Sequence, residues 1–177
     1  MIKIGITGSI ASGKTISSKI MSKGRGPLFS ADAVVKNLYS KLSFRKVIAK
    51  TLGVNQNQNF KKEIKKKILE DKKIIKKLEK IIHPLVRKEM FLFHKKHKRK
   101  KILFFEIPLL IESNLSRYFD RIIFIKTRKI LRLKRYLSNK GNRELFLFLD
   151  KHQMKDVKKV KFCDYIVVNN KSLSVLK

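Results

Sequence analysis

Gly8-Ser9-Ile10-Ala11-Ser12-Gly13-Lys14-Thr15 satisfies the spacing G-x-x-x-x-G-K-[ST] in full, with an apolar run before it and a helix predicted after it. These residue types suit the binding of a polyphosphate. A loop that turns successive N–H groups inward on one anion needs the backbone freedom of glycine. The helix that follows aims the positive end of its dipole at the same point. Lys14 is placed to reach β- and γ-phosphates, and Thr15 to set its hydroxyl on Mg²⁺. The competing reading is a chance match in a turn. It fares poorly, because the chain has only 7 glycines and the match sits in a strand–loop–helix frame. The pattern implies a nucleoside triphosphate with Mg²⁺ and says nothing about what receives the phosphate.

Asp32 is the next candidate. It follows a short apolar run, Leu28 to Ser30, and so stands at the C-terminal edge of a strand, where open α/β sheets bind ligands. A carboxylate there can take the proton of an acceptor hydroxyl during phosphoryl transfer. It can equally cap the helix predicted from Ala33, and one side chain can do both. Arg128, Arg132 and Arg135 are spaced i, i+4, i+7 and share a helix face. For Arg128 and Arg132 the ordinary reading of such a run is a solvated basic surface. Cys163 reads as a buried structural thiol.

Strands alternate with helices along the chain. Apolar, β-rich runs predict strands at Ile2–Ile6, Leu28–Ser30, Ile102–Ile107, Arg121–Lys126 and Tyr165–Val168. Helices are predicted at about 13–23, 33–42, 43–52, 61–82, 84–98, 128–137, 143–159 and 172–176, with Pro84 at a first helical position. Several strands are apolar throughout, as in a parallel sheet covered on both faces. The expected fold is therefore α/β: a P-loop NTPase fold with a parallel five-stranded sheet flanked by helices. The core is expected at 1–52 and 100–177, a helical acceptor subdomain at about 55–98 and a small lid at about 136–145.

The chain has 177 residues, enough for one domain with a small inserted unit, and 43% are hydrophobic, enough for a core without metals or disulfides. One cysteine excludes an internal disulfide and fits a reducing compartment. No apolar run approaches the roughly 20 residues that span a bilayer, and the N-terminus lacks the shape of a secretory signal. A soluble cytoplasmic protein, monomeric and without a membrane partner, is expected. The 45 Lys and Arg exceed the 13 Asp and Glu by 32. Such a surface attracts phosphate without regard to sequence. The excess is mostly lysine and spreads from Lys3 to Lys177, with abundant Ile, Phe and Asn, which reads as compositional drift rather than a selected nucleic-acid surface. The aromatics at Phe91, Phe93, Phe104, Phe105, Phe146 and Phe148 have the spacing of core faces, so no specific nucleic acid is expected as a partner.

The order of motifs, from ITGSIASGKT through FSADAVVKNLY, KLEKIIHPLVRKEM and FFEIPLLIESNL to LRLKR, HQM and CDYIVVNNKSL, resembles the dephospho-CoA kinase family over almost the whole chain. The resemblance implies transfer of the γ-phosphate of ATP to the ribose 3′-hydroxyl of dephospho-CoA, the last step of coenzyme A biosynthesis, with Mg²⁺ as cofactor. It implies ATP binding by Gly8, Ala11, Ser12, Gly13, Lys14, Thr15 and Ile16, and catalysis by Lys14, Asp32 as base and Arg135, which matches the family arginine before the lid. Asp32, Lys61, His83, Pro108 and Leu109 fall on acceptor-side positions. Thr15 and Glu106 fall on metal-side positions, although a strand-end carboxylate such as Glu106 can instead pair with a lysine. His83 can likewise be a packed histidine at a helix end, and Glu112 can serve local structure. The chain departs from the family at Ser30, where an aspartate is usual, at Lys61 and Asn139, where arginine is usual, and at Lys171, where glycine is usual. Two other readings stay open: a kinase of this architecture with a nucleoside or shikimate-type acceptor, and a basic RNA-binding protein switched by nucleotide.

Overall fold

The computed structural model describes residues 1–71, 73–171 and 173–176. The chain divides into two compact units, one formed by Met1–Ala31 with Phe93–Lys177 and the other by Asp32–Leu92. The first holds the sheet: β1 (Ile2–Thr7), β2 (Leu28–Ser30), β3 (Ile102–Glu106), β4 (Arg121–Lys126) and β5 (Tyr165–Val168). All neighbours are parallel, in the order β2-β3-β1-β4-β5. The apolar runs that marked these strands explain the arrangement. Leu103, Phe104 and Phe105 of β3 and Ile122, Phe124 and Ile125 of β4 are buried, as strands covered on both faces must be. Ile6, Phe104 and Ile125 form a core cluster joined by Ile4, Leu28 and Val167. The chain leaves β1 for β2 on one side of it, while β4 lies on the other. The loop after β1 therefore starts where the strand order reverses, the usual ligand crevice of such sheets. Register sets Ser30 and Ile6 on either side of Glu106 at that edge.

Around the sheet lie α1 (Lys14–Ser22), α6 (Lys129–Ser138), α7 (Arg143–His152), α8 (Asp156–Val160) and the short α9 (Leu173–Leu176), with a 3₁₀ turn at Ser116–Tyr118. The helix predicted over 143–159 is two helices. Gln153 takes an extended backbone after closing α7 onto the Leu149 carbonyl, and α8 restarts beyond Lys155. The C-terminal helix is present, with its expected first residue, Ser172, outside the described residues.

The second unit is helical: α2 (Ala31–Ser40), α3 (Leu42–Leu52), α4 (Phe60–Glu70) and α5 (Lys73–Lys96), the last running on past Leu92. Residues 32–52, expected with the core, group here instead. The reason is aromatic packing: Tyr39 lies 5.2 Å from Phe44 and 6.3 Å from Phe60, with the Arg45 guanidinium over the Phe60 ring. Phe44, Ile48, Leu52, Ile64, Ile68, Ile74 and Leu78 complete this core. The helix break expected between Ile82 and Pro84 falls at Asp71. Asp71 is extended, and its carboxylate accepts the Lys73 N–H at 2.8 Å, a local bond that competes with helix continuation. Pro84 sits inside α5. An interior proline costs about 3 kcal/mol, but the apolar stripe through Ile74, Ile75, Leu78, Ile82, Leu85 and Met90 continues past it, with Ile82 and Leu85 half-buried and the others buried, and this burial offsets that cost.

Candidate active site

The loop between β1 and α1 folds as its composition requires. Ala11 and Gly13 both take left-handed backbone angles (φ 57° and 87°), which curls the chain into a concave nest for an anion. At Gly13 a β-carbon would sit 2.3 Å from Asn169 Nδ2, and at Gly8 one would sit 2.6 Å from the Ile125 carbonyl, so neither tolerates a side chain. Lys14, the first residue of α1, is buried and donates from Nζ to the Ser9 carbonyl at 3.0 Å, folding back over the loop. Ser12 is fully buried. Ile16, the last residue expected at ATP, is half exposed on α1.

Thr15 and Glu106 meet. The Thr15 hydroxyl donates to Glu106 Oε1 at 2.5 Å, and Glu106 is fully buried at the end of β3. Its Oε2 has no hydrogen-bond partner among the described residues. A buried carboxylate oxygen without a donor is costly unless a cation or a bound water serves it. The threonine proton is engaged with Glu106, which leaves the hydroxyl oxygen lone pairs as metal ligands. This donor set, all hard oxygen, fits Mg²⁺. From the sequence Glu106 could pair with a lysine; the partner seen among the described residues is Thr15.

On the other flank, one carbonyl is held three ways. Ser12 O accepts from Thr127 Oγ1 at 2.9 Å, from Asn169 Nδ2 at 2.9 Å and from Arg135 at 3.4 Å. Arg135 also donates to the Asn169 carbonyl at 3.1 Å, and its guanidinium lies beside Gly13. Arg135 thus stands at the loop. Arg128 stays exposed, as a solvated face requires. Arg132 does not. It is 5% exposed, bonds the Thr127 and Ile10 carbonyls, and pairs with Asp150 at 2.5 Å. Lys129 adds a second cation to Asp150 at 2.9 Å. Burial raises the Asp150 pKa, but the bonds from Arg132 and Lys129 prevail and hold it below its ordinary 3.8. The expectation of a solvated Arg132 fails because its carboxylate partner Asp150 lies a helix away, which spacing alone does not reveal.

Behind the loop, Gln153 Oε1 accepts the Ile10 N–H at 2.9 Å, and the Ser9 hydroxyl donates to Asp156. A cavity of about 490 Å³ opens beside these residues, lined among others by Thr127, Arg128, Lys129, Arg132, Met154 and Asn170. Sequence reasoning missed Gln153, Asp156, Asp150 and Asn169. For Gln153 and Asn169 the available signal was that HQM and CDYIVVNNKSL belong to the motif order.

Pro108 and Leu109 follow β3, with the Pro108 carbonyl accepting from Thr7 Oγ1 at 3.1 Å. Glu112 pairs with the fully buried Lys159 at 2.8 Å. Asp32, Lys61 and His83 belong to the helical unit. Asp32 is exposed in the first turn of α2, which begins at Ala31 rather than Ala33. Lys61 lies over the Tyr39 ring at 5.8 Å. His83 is half-buried within α5, and burial pushes its imidazole below the usual 6.5, with Glu79 opposing and Arg87 adding to the shift. Cys163, expected to be buried, is half-buried; it donates its thiol to the Lys159 carbonyl, and burial with the Asp164 charge pushes its pKa up to about 11 despite the counteracting Lys159.

Comparison with known proteins bears on what this loop serves. A shikimate kinase of Bacteroides thetaiotaomicron superposes with a TM-score of 0.52 at 12% identity, covering 94% of this chain and 85% of that one, a likeness of fold alone. The dephospho-CoA kinase of Campylobacter jejuni superposes at 0.64 with 26% identity over 98% of this chain and 90% of that one. A curated dephospho-CoA kinase of Fusobacterium nucleatum is 33% identical over 98% of this chain and 92% of its own length. The model of that family, dephospho-CoA kinase, matches residues 2–174, from the first strand through the last. With sequence, family pattern and fold in agreement over the full set of elements, the chain belongs to the dephospho-CoA kinase family.

Proposed function

We propose that the protein phosphorylates the ribose 3′-hydroxyl of dephospho-CoA with ATP, giving CoA and ADP, as a cytoplasmic monomer. The observation that carries this reading is the unbroken family match over residues 2–174 around an intact phosphate loop. In this reading the nest at Ala11–Gly13 and Lys14 hold the β- and γ-phosphates. Thr15 and Glu106 hold Mg²⁺, which when bound neutralises charge shared between those phosphates. The new bond joins the γ-phosphorus to the ribose 3′ oxygen, and the bond to the β–γ bridging oxygen breaks. The hydroxyl proton passes to the Asp32 carboxylate. Arg135, beside Gly13, compensates charge on the transferring group. Lys61, His83, Pro108 and Leu109 contact the acceptor. Residues 136–145 act as the lid. Most of the rate then comes from positioning and fixed charge.

A coupled ADP-release assay with ATP and Mg²⁺ tests this. Release is expected with dephospho-CoA and absent with adenosine or shikimate. Equal turnover with either of those would reassign the acceptor.

A further inference from the structure

The helix predicted across 143–159 breaks at Gln153–Lys155, although the residues there are ordinary helix formers. Such local departures concentrate where function requires them. The break delivers two side chains to the back of the phosphate loop: Gln153 Oε1 to the Ile10 N–H, and Asp156 to the Ser9 hydroxyl. The broken segment is itself anchored. Glu112 Oε1 accepts the Met154 N–H at 3.1 Å, and the same carboxylate pairs with Lys159, which is fully buried. A buried lysine is expensive unless paired; the ion pair with Glu112 offsets that cost, although Lys159 Nζ has no hydrogen-bond partner among the described residues.

We infer that Gln153 is a positioning residue for nucleotide binding: with Asp156 it clamps Ser9 and Ile10 from behind, and the Glu112–Lys159 pair holds the clamp in place. The Ile10 N–H, engaged by Gln153, is not among the amides offered to phosphate. Its bond instead fixes the chain just before Ala11, whose left-handed turn begins the anion nest. Preorganisation of this kind raises affinity by removing the cost of ordering the loop on binding.

This inference rests on the phosphate-loop reading but not on the acceptor. The test is calorimetric titration of AMPPNP with Mg²⁺, and separately of dephospho-CoA, against wild type, Gln153→Met and Gln153→Glu. Methionine keeps the length and removes the acceptor atom, whereas glutamate keeps an acceptor oxygen. Gln153→Met should weaken AMPPNP binding roughly tenfold, the worth of one well-placed hydrogen bond. Gln153→Glu should restore it to within about threefold, dephospho-CoA affinity should not change, and melting should stay within a few degrees. Asp156→Asn is the second variant and should weaken AMPPNP by about threefold. Wild-type AMPPNP affinity in both Gln153→Met and Asp156→Asn would overturn the clamp. So would a Gln153→Glu variant as weak as Gln153→Met, or parallel losses for both ligands that track melting. A wild type that binds AMPPNP but fails to phosphorylate dephospho-CoA would sink the acceptor assignment and leave the clamp intact.

Discussion

Asp32 stands exposed in the first turn of α2, where its charge interacts with the helix dipole. That interaction is worth about 0.3–1 kcal/mol. Asp32→Asn keeps the shape and removes the base, so melting should shift little while turnover falls at least about a hundredfold. Steady-state kinetics beside a thermal melt checks this, and a variant that keeps most of its turnover would return Asp32 to a structural role. Asp150 serves differently. Its folded pKa lies below its ordinary value, so the stability that it contributes is present above about pH 4 and is lost as pH falls through the folded value. At pH 7, Asp150→Asn leaves Arg132 buried without its counter-charge and should cost about 2–3 kcal/mol. From pH 5 to pH 3 the wild type should lose melting temperature faster than the variant, and parallel curves would contradict the pairing. Asp32 could be picked out from the sequence because its neighbours along the chain define a strand end. The Arg132–Asp150 and Gln153–Ile10 contacts could not, because their partners are distant and many lysines offer equal pairings.

At the scale of elements, α6 ends in a Schellman turn. The Gly141 N–H bonds the Tyr136 carbonyl and the Lys140 N–H bonds the Leu137 carbonyl, with Lys140 at φ 57°. A lysine in that left-handed position is strained relative to glycine. Lys140→Gly should therefore raise stability by about 1 kcal/mol, readable as a higher denaturant midpoint at unchanged slope. An unchanged or lower midpoint would show that the turn is not strained. The adjacent Gly141 tolerates no side chain, since a β-carbon there would clash with the Tyr136 ring. The strands could be read from sequence because uninterrupted apolar runs have few alternatives in an α/β chain. Helix ends were less legible. Proline at 84 signals a boundary, but the stripe that continues through it decides the outcome, and the real boundary at Asp71 rests on one local side-chain bond.

At the scale of the molecule, the excess of 32 positive charges spreads over the sequence rather than onto one element. Among the described residues, no helix is long and apolar enough to cross a membrane. A diffuse basic surface should bind RNA weakly and without sequence preference, and fluorescence anisotropy should show that binding fade steeply from about 50 to 200 mM salt. Tight, sequence-selective binding at the higher salt would mark a selected nucleic-acid surface. The same field should speed the encounter with ATP and dephospho-CoA, both polyanions, so that kcat/KM falls with ionic strength. What distinguishes this activity from that of other kinases of the same fold is the atom phosphorylated. Incubating the protein with ATP, Mg²⁺ and dephospho-CoA, and assigning the product by phosphorus NMR, tests it most directly. One new phosphomonoester on the ribose 3′ oxygen, formed in step with ADP, is expected. No new phosphomonoester, or one at another position, would contradict it.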